Sequence, residues 1–215
     1  RYGFMRSWSN DYNGVLVFND DVILYDHAIE ELITTASLKG AFSNGAKPTI
    51  IVGSTCEPSD QFNISYGGYR KKRHFFRPLF DRLSPNGEIQ PCDTLNMNFA
   101  CINYRCIEQF GFLSSDFQHS LADFDYGLTV SNNSGSVWIC PSVIGSCDRN
   151  TNENSWRDIN LDLVSRYRLL KSPKGMPFRE RIAFIRRHFD VTTYFSLLIP
   201  YLILIKDEFI RYSSK

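Results

Sequence analysis

No stretch of this 215-residue chain stays apolar for the roughly 18–20 positions that a membrane-crossing helix needs. The nearest candidate, Val191 to Ile205, is interrupted by Pro200 and two threonines, and is expected to be a core helix, with an interfacial one as the alternative. The six cysteines contain no C-x-x-C pair, which argues against a zinc knuckle or a thioredoxin-like site. They are expected to be reduced and mostly buried. Neither sign of charge dominates: 24 basic against 23 acidic residues leave no bulk field to draw the chain to nucleic acid. The nucleotide and hydrolase signatures G-x-x-x-x-G-K-S/T, G-x-G-x-x-G and G-x-S-x-G are all missing, as are internal repeats and low-complexity tracts. Arg1 to Asn13 are polar and aromatic rather than charged and then apolar, unlike a secretory signal.

What is present suits a packed domain. Hydrophobic residues make up 43% and aromatic ones 14%, which excludes disorder as a description of the whole. Val15-Leu16-Val17-Phe18 is a short apolar run ending in Asn19-Asp20-Asp21, the pattern of a buried parallel strand entering a polar loop. Asp26 is expected to cap a helix over Ala28 to Ser37 with Ile29, Leu32 and Ile33 inward. Further strands are read at Ile50 to Gly53, Ile64 to Tyr69, Cys92 to Tyr104 and Val137 to Val143, with Arg70 to Leu83 as a basic, aromatic loop. Short helices are read at Cys106 to Phe110, closed by Gly111, and from Asp123 to Val130. Beyond Asn150 the texture turns helical, at Ile159 to Leu170 and Phe178 to His188 around a Ser172-Pro173-Lys174-Gly175 turn. The expected class is α/β over residues 1–150 with a helical extension over 151–215.

Two acidic groups carry the chemistry. Asn19-Asp20-Asp21 lies at the carboxyl end of a strand, where open α/β sheets bind ligands and carboxylates suit a hard divalent cation with its phosphates. An acidic capping turn is the plainer reading. Asp123 and Asp125 cannot share one face of a helix; one could face a cleft as general base while the other orients or caps. His119 is the histidine best placed to reach a metal or phosphate. The basic clusters Arg70 to His74 and Arg179 to Arg187 are either solvated faces or contacts for phosphates or an anionic membrane. Asn63-Ile-Ser65 and Asn132-Asn-Ser134 match a glycosylation triplet that is common by chance.

Several of these segments, in order, resemble one family. "VLVFNDDVILYDHAIEELI" (Val15 to Ile33) is similar to the D-x-D strand and helix of family 2 glycosyltransferases of GT-A fold, in the rhamnosyltransferase-like branch where "NDD" replaces D-x-D. "IVGST" and "ISYGG" resemble the next block, and "CDTLNMNFACINYRCIEQFGFLSSDFQHSLADFDYGLTVSNNSG" (Cys92 to Gly135) resembles the acceptor-side block. The resemblance implies a GT-A-like, Rossmann-like mixed sheet flanked by helices and an inverting transfer from a nucleotide-sugar to a hydroxyl of a polysaccharide or lipid-linked saccharide. It implies Mg2+ or Mn2+ held by Asp21, with His119 a further metal candidate and Asn19 and Asp20 shaping the site. It implies Asp123 as catalytic base, Asp125 supporting it or touching acceptor, and Asp93 and Asn96 lining the donor-sugar pocket. The expected location is the cytoplasm or the inner face of its membrane. Two departures stand out: Met97 occupies a usual glycine, and the family's opening strand, turn and base-recognising aspartate do not precede Arg1. The chain therefore reads as lacking the N-terminal nucleotide-binding strands. A non-catalytic remnant serving as a binding or assembly module is the alternative. A metal-dependent nucleotidyltransferase is disfavoured, because no Gly-rich basic loop for a triphosphate is found.

Overall fold

The computed structural model describes residues 12–74, 76–119 and 121–213, which fall into two compact units. The first comprises Arg1–Lys72, Phe80–Ser114 and Asp123–Arg149. The second comprises Arg73–Leu79, Ser115–Ala122 and Asn150–Lys215, so two short excursions from the sheet region belong with the C-terminal helices.

In the first unit, chain order runs β1 (Gly14–Phe18), β2 (Ile23–Leu24), α1 (Ala28–Leu38), β3 (Thr49–Glu57), β4 (Asp60–Tyr66), β5 (Gly68–Lys72), β6 (Leu79–Arg82), β7 (Gln90–Cys92), β8 (Thr94–Leu95), β9 (Phe99–Asn103), α2 (Tyr104–Phe110), α3 (Ala122–Asn132) and β10 (Ser136–Ser146). The main sheet has the order β1-β9-β3-β10-β2, with β4 beside β3 and β7 beside β10; β6-β5-β8 form a smaller one. The main sheet is mixed, because β3 and β10 pair in parallel while β9 runs against both β1 and β3. The class is thus α/β. The expectation of a buried parallel strand at Val15 to Phe18 needs correction: β1 pairs antiparallel with β9 and ends the strand order among the described residues.

Successive residues of β3 point to opposite faces, which divides the core in two. Ile50 and Val52 join Ala100, Ile102, Cys106, Ile107, Tyr126 and Val130 on the side of α2 and α3. Ile51 joins Phe99, Cys101 and Ile144 beneath Ala28, Leu32 and Ala36 of α1. Ile29 and Ile33 are exposed, contrary to the expected inward face, since small Ala28 and Ala36 let α1 approach the sheet closely. Nor does Asp26 cap this helix. Its N-cap is His27, whose Nε2 lies 3.2 Å from Val143 O. The expected basic loop at Arg70 to Leu83 contains β5 and β6, joined by the Lys72–Asp81 ion pair at 2.6 Å.

All six cysteines are free and buried. Burial pushes the Cys101 thiol up to about 11 and the Cys106 and Cys140 thiols up to about 12. Unfolded thiols titrate near about 8.5, so their stabilising contribution is complete below that pH and is lost as pH rises toward the folded values. The thermal midpoint is therefore expected to drop by several degrees between pH 8 and 10.5 in circular-dichroism melts. A midpoint that stays level or climbs would contradict buried neutral thiols.

In the second unit lie α4 (Leu163–Lys171), α5 (Phe178–His188), a 3₁₀ segment (Val191–Leu198) and α6 (Ile199–Ser213). Asp162 caps α4 by accepting from Val164 N and Ser165 N at 2.9 and 3.0 Å. Trp156, Leu170 and Leu204 form the core. Beside it Arg166 is 2% exposed, donating to Trp156 O at 3.0 Å and to Asp207 Oδ2 at 2.6 Å. Buried Arg181 donates to the Leu197 and Ser196 carbonyls, satisfying the end of the 3₁₀ segment. The expected core helix around Val191 to Ile205 is buried on one side only: Val191, Phe195, Leu198, Leu202 and Ile205 are exposed. No helix among the described residues is long and apolar enough to cross a membrane.

Candidate functional site

β1 delivers Asn19, Asp20 and Asp21 to the sheet edge where β9 begins. Asn19 N donates to Asn98 O at 3.0 Å, and Val22 N closes the turn onto Asn19 O at 3.4 Å. All three side chains of the turn are exposed. Asn98 is 6% exposed, and its Nδ2 reaches the Cys147 thiol at 3.7 Å. β10 ends beside it, with Cys147 N bonded to Cys56 O at 2.9 Å. Burial raises the Cys147 thiol first, and the Asp21 carboxylate, which is hydrogen-bonded to it, raises it further. The thiol is therefore held protonated against Asp21, and the turn offers oxygen donors.

The second acid arrives from α3. Thr94 Oγ1 donates to Phe124 O at 2.9 Å, fixing the first turn of the helix against β8. Gly127 allows this approach: a Cβ there would stand 2.6 Å from Thr94 Oγ1 and 2.8 Å from Thr94 Cα. With the helix seated, Asp123 Oδ2 accepts from Met97 N at 3.0 Å. The Asn19–Asp21 turn and Asp123 are therefore attached to neighbouring residues, the first to Asn98 and the second to Met97. Asp123 holds Met97 by its amide, and Asp21 meets Asn98 through Cys147.

Met97 has no positive φ, and its side chain is buried in the core on the α2–α3 side. Asn96 N donates to Gly67 O at 2.9 Å, while its Oδ1 is buried without a hydrogen-bond partner. Asp93 is engaged in structure: its Oδ2 accepts from Lys71 N at 2.6 Å, its N donates to Tyr69 O and its O accepts from Ser131 Oγ. Asp125 is 4% exposed, on the inner side of α3. His119 belongs to the second unit, where it lines a depression with residues 150–175. Cys147 and Asn98 were not singled out by sequence reasoning. Asn98 sits two residues after Asn96 at a strand mouth, which is a usable signal; nothing local marks Cys147.

Among the described residues, no three or more His, Cys, Asp and Glu side chains gather into a set able to hold a metal ion. The fold is α/β, and at this edge an acidic turn and the carboxylate of Asp123 are hydrogen-bonded to adjacent residues. No family model and no curated protein matches the chain.

Proposed function

We propose that the first unit is the catalytic part of an inverting, divalent-metal-dependent glycosyltransferase of the family 2, GT-A kind. One observation carries the reading: two acidic segments far apart in sequence attach to adjacent residues, the Asn19–Asp21 turn to Asn98 O through Asn19 N and Asp123 to Met97 N. An inverting transfer needs two such groups, one for the donor diphosphate and one for the acceptor hydroxyl. Asp123 takes the proton of the acceptor hydroxyl while that oxygen attacks the anomeric carbon opposite the diphosphate. The bond from the anomeric carbon to the diphosphate oxygen breaks, and configuration inverts.

Asp21, with Asn19 and Asp20 on the same turn, would hold Mg2+ or Mn2+, which offsets negative charge on the departing diphosphate when bound. One or two carboxylates plus phosphate oxygens complete such a site, so a three-residue protein cage is not required. The buried, unsatisfied Asn96 Oδ1 suits a donor-sugar hydroxyl, since an acceptor atom left unpaired in the interior is costly. Asp93, tied to Lys71 N, acts on this pocket through the backbone. Asp21→Ala is expected to weaken manganese-dependent binding of a nucleoside diphosphate sugar by about a hundredfold or more, read by titration calorimetry. Undiminished affinity would remove Asp21 from the metal.

The second unit is proposed to rest against an anionic membrane surface, placing the enzyme peripherally on the cytoplasmic face. Leu202, Ile205, Phe209 and Tyr212 recur at i, i+3, i+7 and i+10 along α6 and are exposed, with exposed Lys206 and Arg211 on the same helix. Flotation with phosphatidylglycerol vesicles is expected to carry the protein upward and to fail for Ile205→Ser/Phe209→Ser. A native chain left at the bottom of the gradient refutes the contact.

A further inference from the structure

A depression of about 420 Å³ opens within the second unit. One wall is the 150–156 loop, carrying Asn150, Glu153 and Asn154 above Trp156. The other is the 172–175 turn, carrying Lys174, with His119 at the rim.

Both walls are braced. Asn154 adopts a φ of 53°, a left-handed conformation that asparagine tolerates, and its N–H donates to Asp158 Oδ2 at 2.9 Å. Ser155 Oγ bonds back to Asn152 O at 2.6 Å. Trp156 anchors the loop in the core, and its carbonyl receives the buried Arg166 Nε. Opposite, Gly175 N donates to Ser172 O at 2.9 Å, Met176 N to Leu170 O at 2.8 Å, and Ser172 Oγ to Leu169 O at 2.7 Å. A cavity held open by its own backbone hydrogen bonds has little ordering entropy left to lose on binding.

We infer that this depression binds a neutral saccharide unit. Two carboxamides and a carboxylate on one short loop offer the planar donor–acceptor and acceptor pairs that match adjacent sugar hydroxyls. Leu169, half-buried in the same lining, supplies a small apolar surface for the C–H groups of a pyranose. One ammonium, Lys174, and one carboxylate, Glu153, both belong to the lining, so its fixed charges balance and do not favour a phosphate or a nucleotide. An exposed aromatic platform for stacking a base is also missing there, since Trp156 is buried. Saccharide recognition here is separate from the transfer proposed above for the first unit. It does not rest on that reaction, and the two assignments fail separately.

Saturation-transfer NMR on the intact chain, with millimolar methyl glycosides of rhamnose, mannose, glucose, galactose and N-acetylglucosamine, tests it without metal or donor. Transfer to at least one glycoside is expected, unaffected by inorganic phosphate at equal concentration. Glu153→Ala with Asn154→Gly, which keeps the left-handed turn, is expected to weaken that binding about tenfold, the loss of a charged hydrogen bond. Lys174→Ser serves as a second variant on the opposite wall should the first lower the melting temperature. Transfer to none of the five, equal transfer in both variants, or displacement by phosphate each overturns the assignment. Loss of catalysis with saccharide binding intact would instead count against the transferase reading alone.

Discussion

Under the proposed transfer reaction, Asp123→Asn is expected to lower the rate by about 10²–10⁴-fold while leaving affinity for a nucleotide-sugar unchanged. The substitution is a narrow one. Asparagine keeps an oxygen to accept from Met97 N, the 3.0 Å bond that positions this side chain, and loses only the ability to take a proton. A purely structural aspartate would tolerate the exchange with its backbone bond preserved, so rate is the discriminating measurement. Turnover within a few-fold of the native enzyme, by product release from a radiolabelled nucleotide-sugar, would falsify the general-base role. Donor affinity falling together with turnover would point instead to a collapsed Met97–Asn98 step. That pairing of rate and affinity separates chemistry from architecture.

Arg166→Ala should cause the largest loss of stability, about 3–5 kcal/mol, confined to the second unit. The guanidinium is 2% exposed and ties α4 to the Trp156 carbonyl and to Asp207 of α6. Removing it leaves a partly buried carboxylate and a buried carbonyl without their donor, in addition to a cavity beside Leu170 and Leu204. Urea unfolding followed by tryptophan fluorescence checks this, because Trp156 reports on the second unit and Trp138 on the first. The additional change Asp207→Ala is expected to recover part of the loss, since it removes the stranded charge. A single, unshifted transition in Arg166→Ala would show that the pair contributes little.

The sequence reading reached furthest where burial leaves a local mark. Ile50 to Val52 of β3 form an apolar run because both faces are covered, one by α1 and the other by α2 and α3. The single extended segment read over Cys92 to Tyr104, by contrast, is divided among the end of β7, β8 and β9. α5 spans the residues expected of it, and α2 ends at Gly111, whose φ of 71° suits a residue without a Cβ. Its failures share a cause. Arg70 to Leu83 looked like a loop because strands β5 and β6 carry charges, and those charges are satisfied across the hairpin, as in Lys72–Asp81. Ile29 and Ile33 looked like a core stripe, but alanines made the closer contact with the sheet. In each case a partner distant in sequence decided the outcome.

The candidate site divides along the same line. Residue types and their place at strand ends marked Asn19 to Asp21 and Asp123 as a possible working pair before any coordinates. Sequence could not reveal that Asp93 spends its carboxylate on Lys71 N, or that Cys147 stands between Asp21 and Asn98. His119 lies only four positions before Asp123 in the chain, yet it lines a depression in the other unit.

By itself the sequence determined the α/β class and the buried Ile50–Val52 stretch of β3, because hydrophobic patterning is a local property. Only the tertiary structure decided strand direction, the one-sided burial of α6, and the attachment of the Asn19 turn and Asp123 to the adjacent residues Asn98 and Met97. Those depend on hydrogen bonds and packing between residues that the chain keeps far apart.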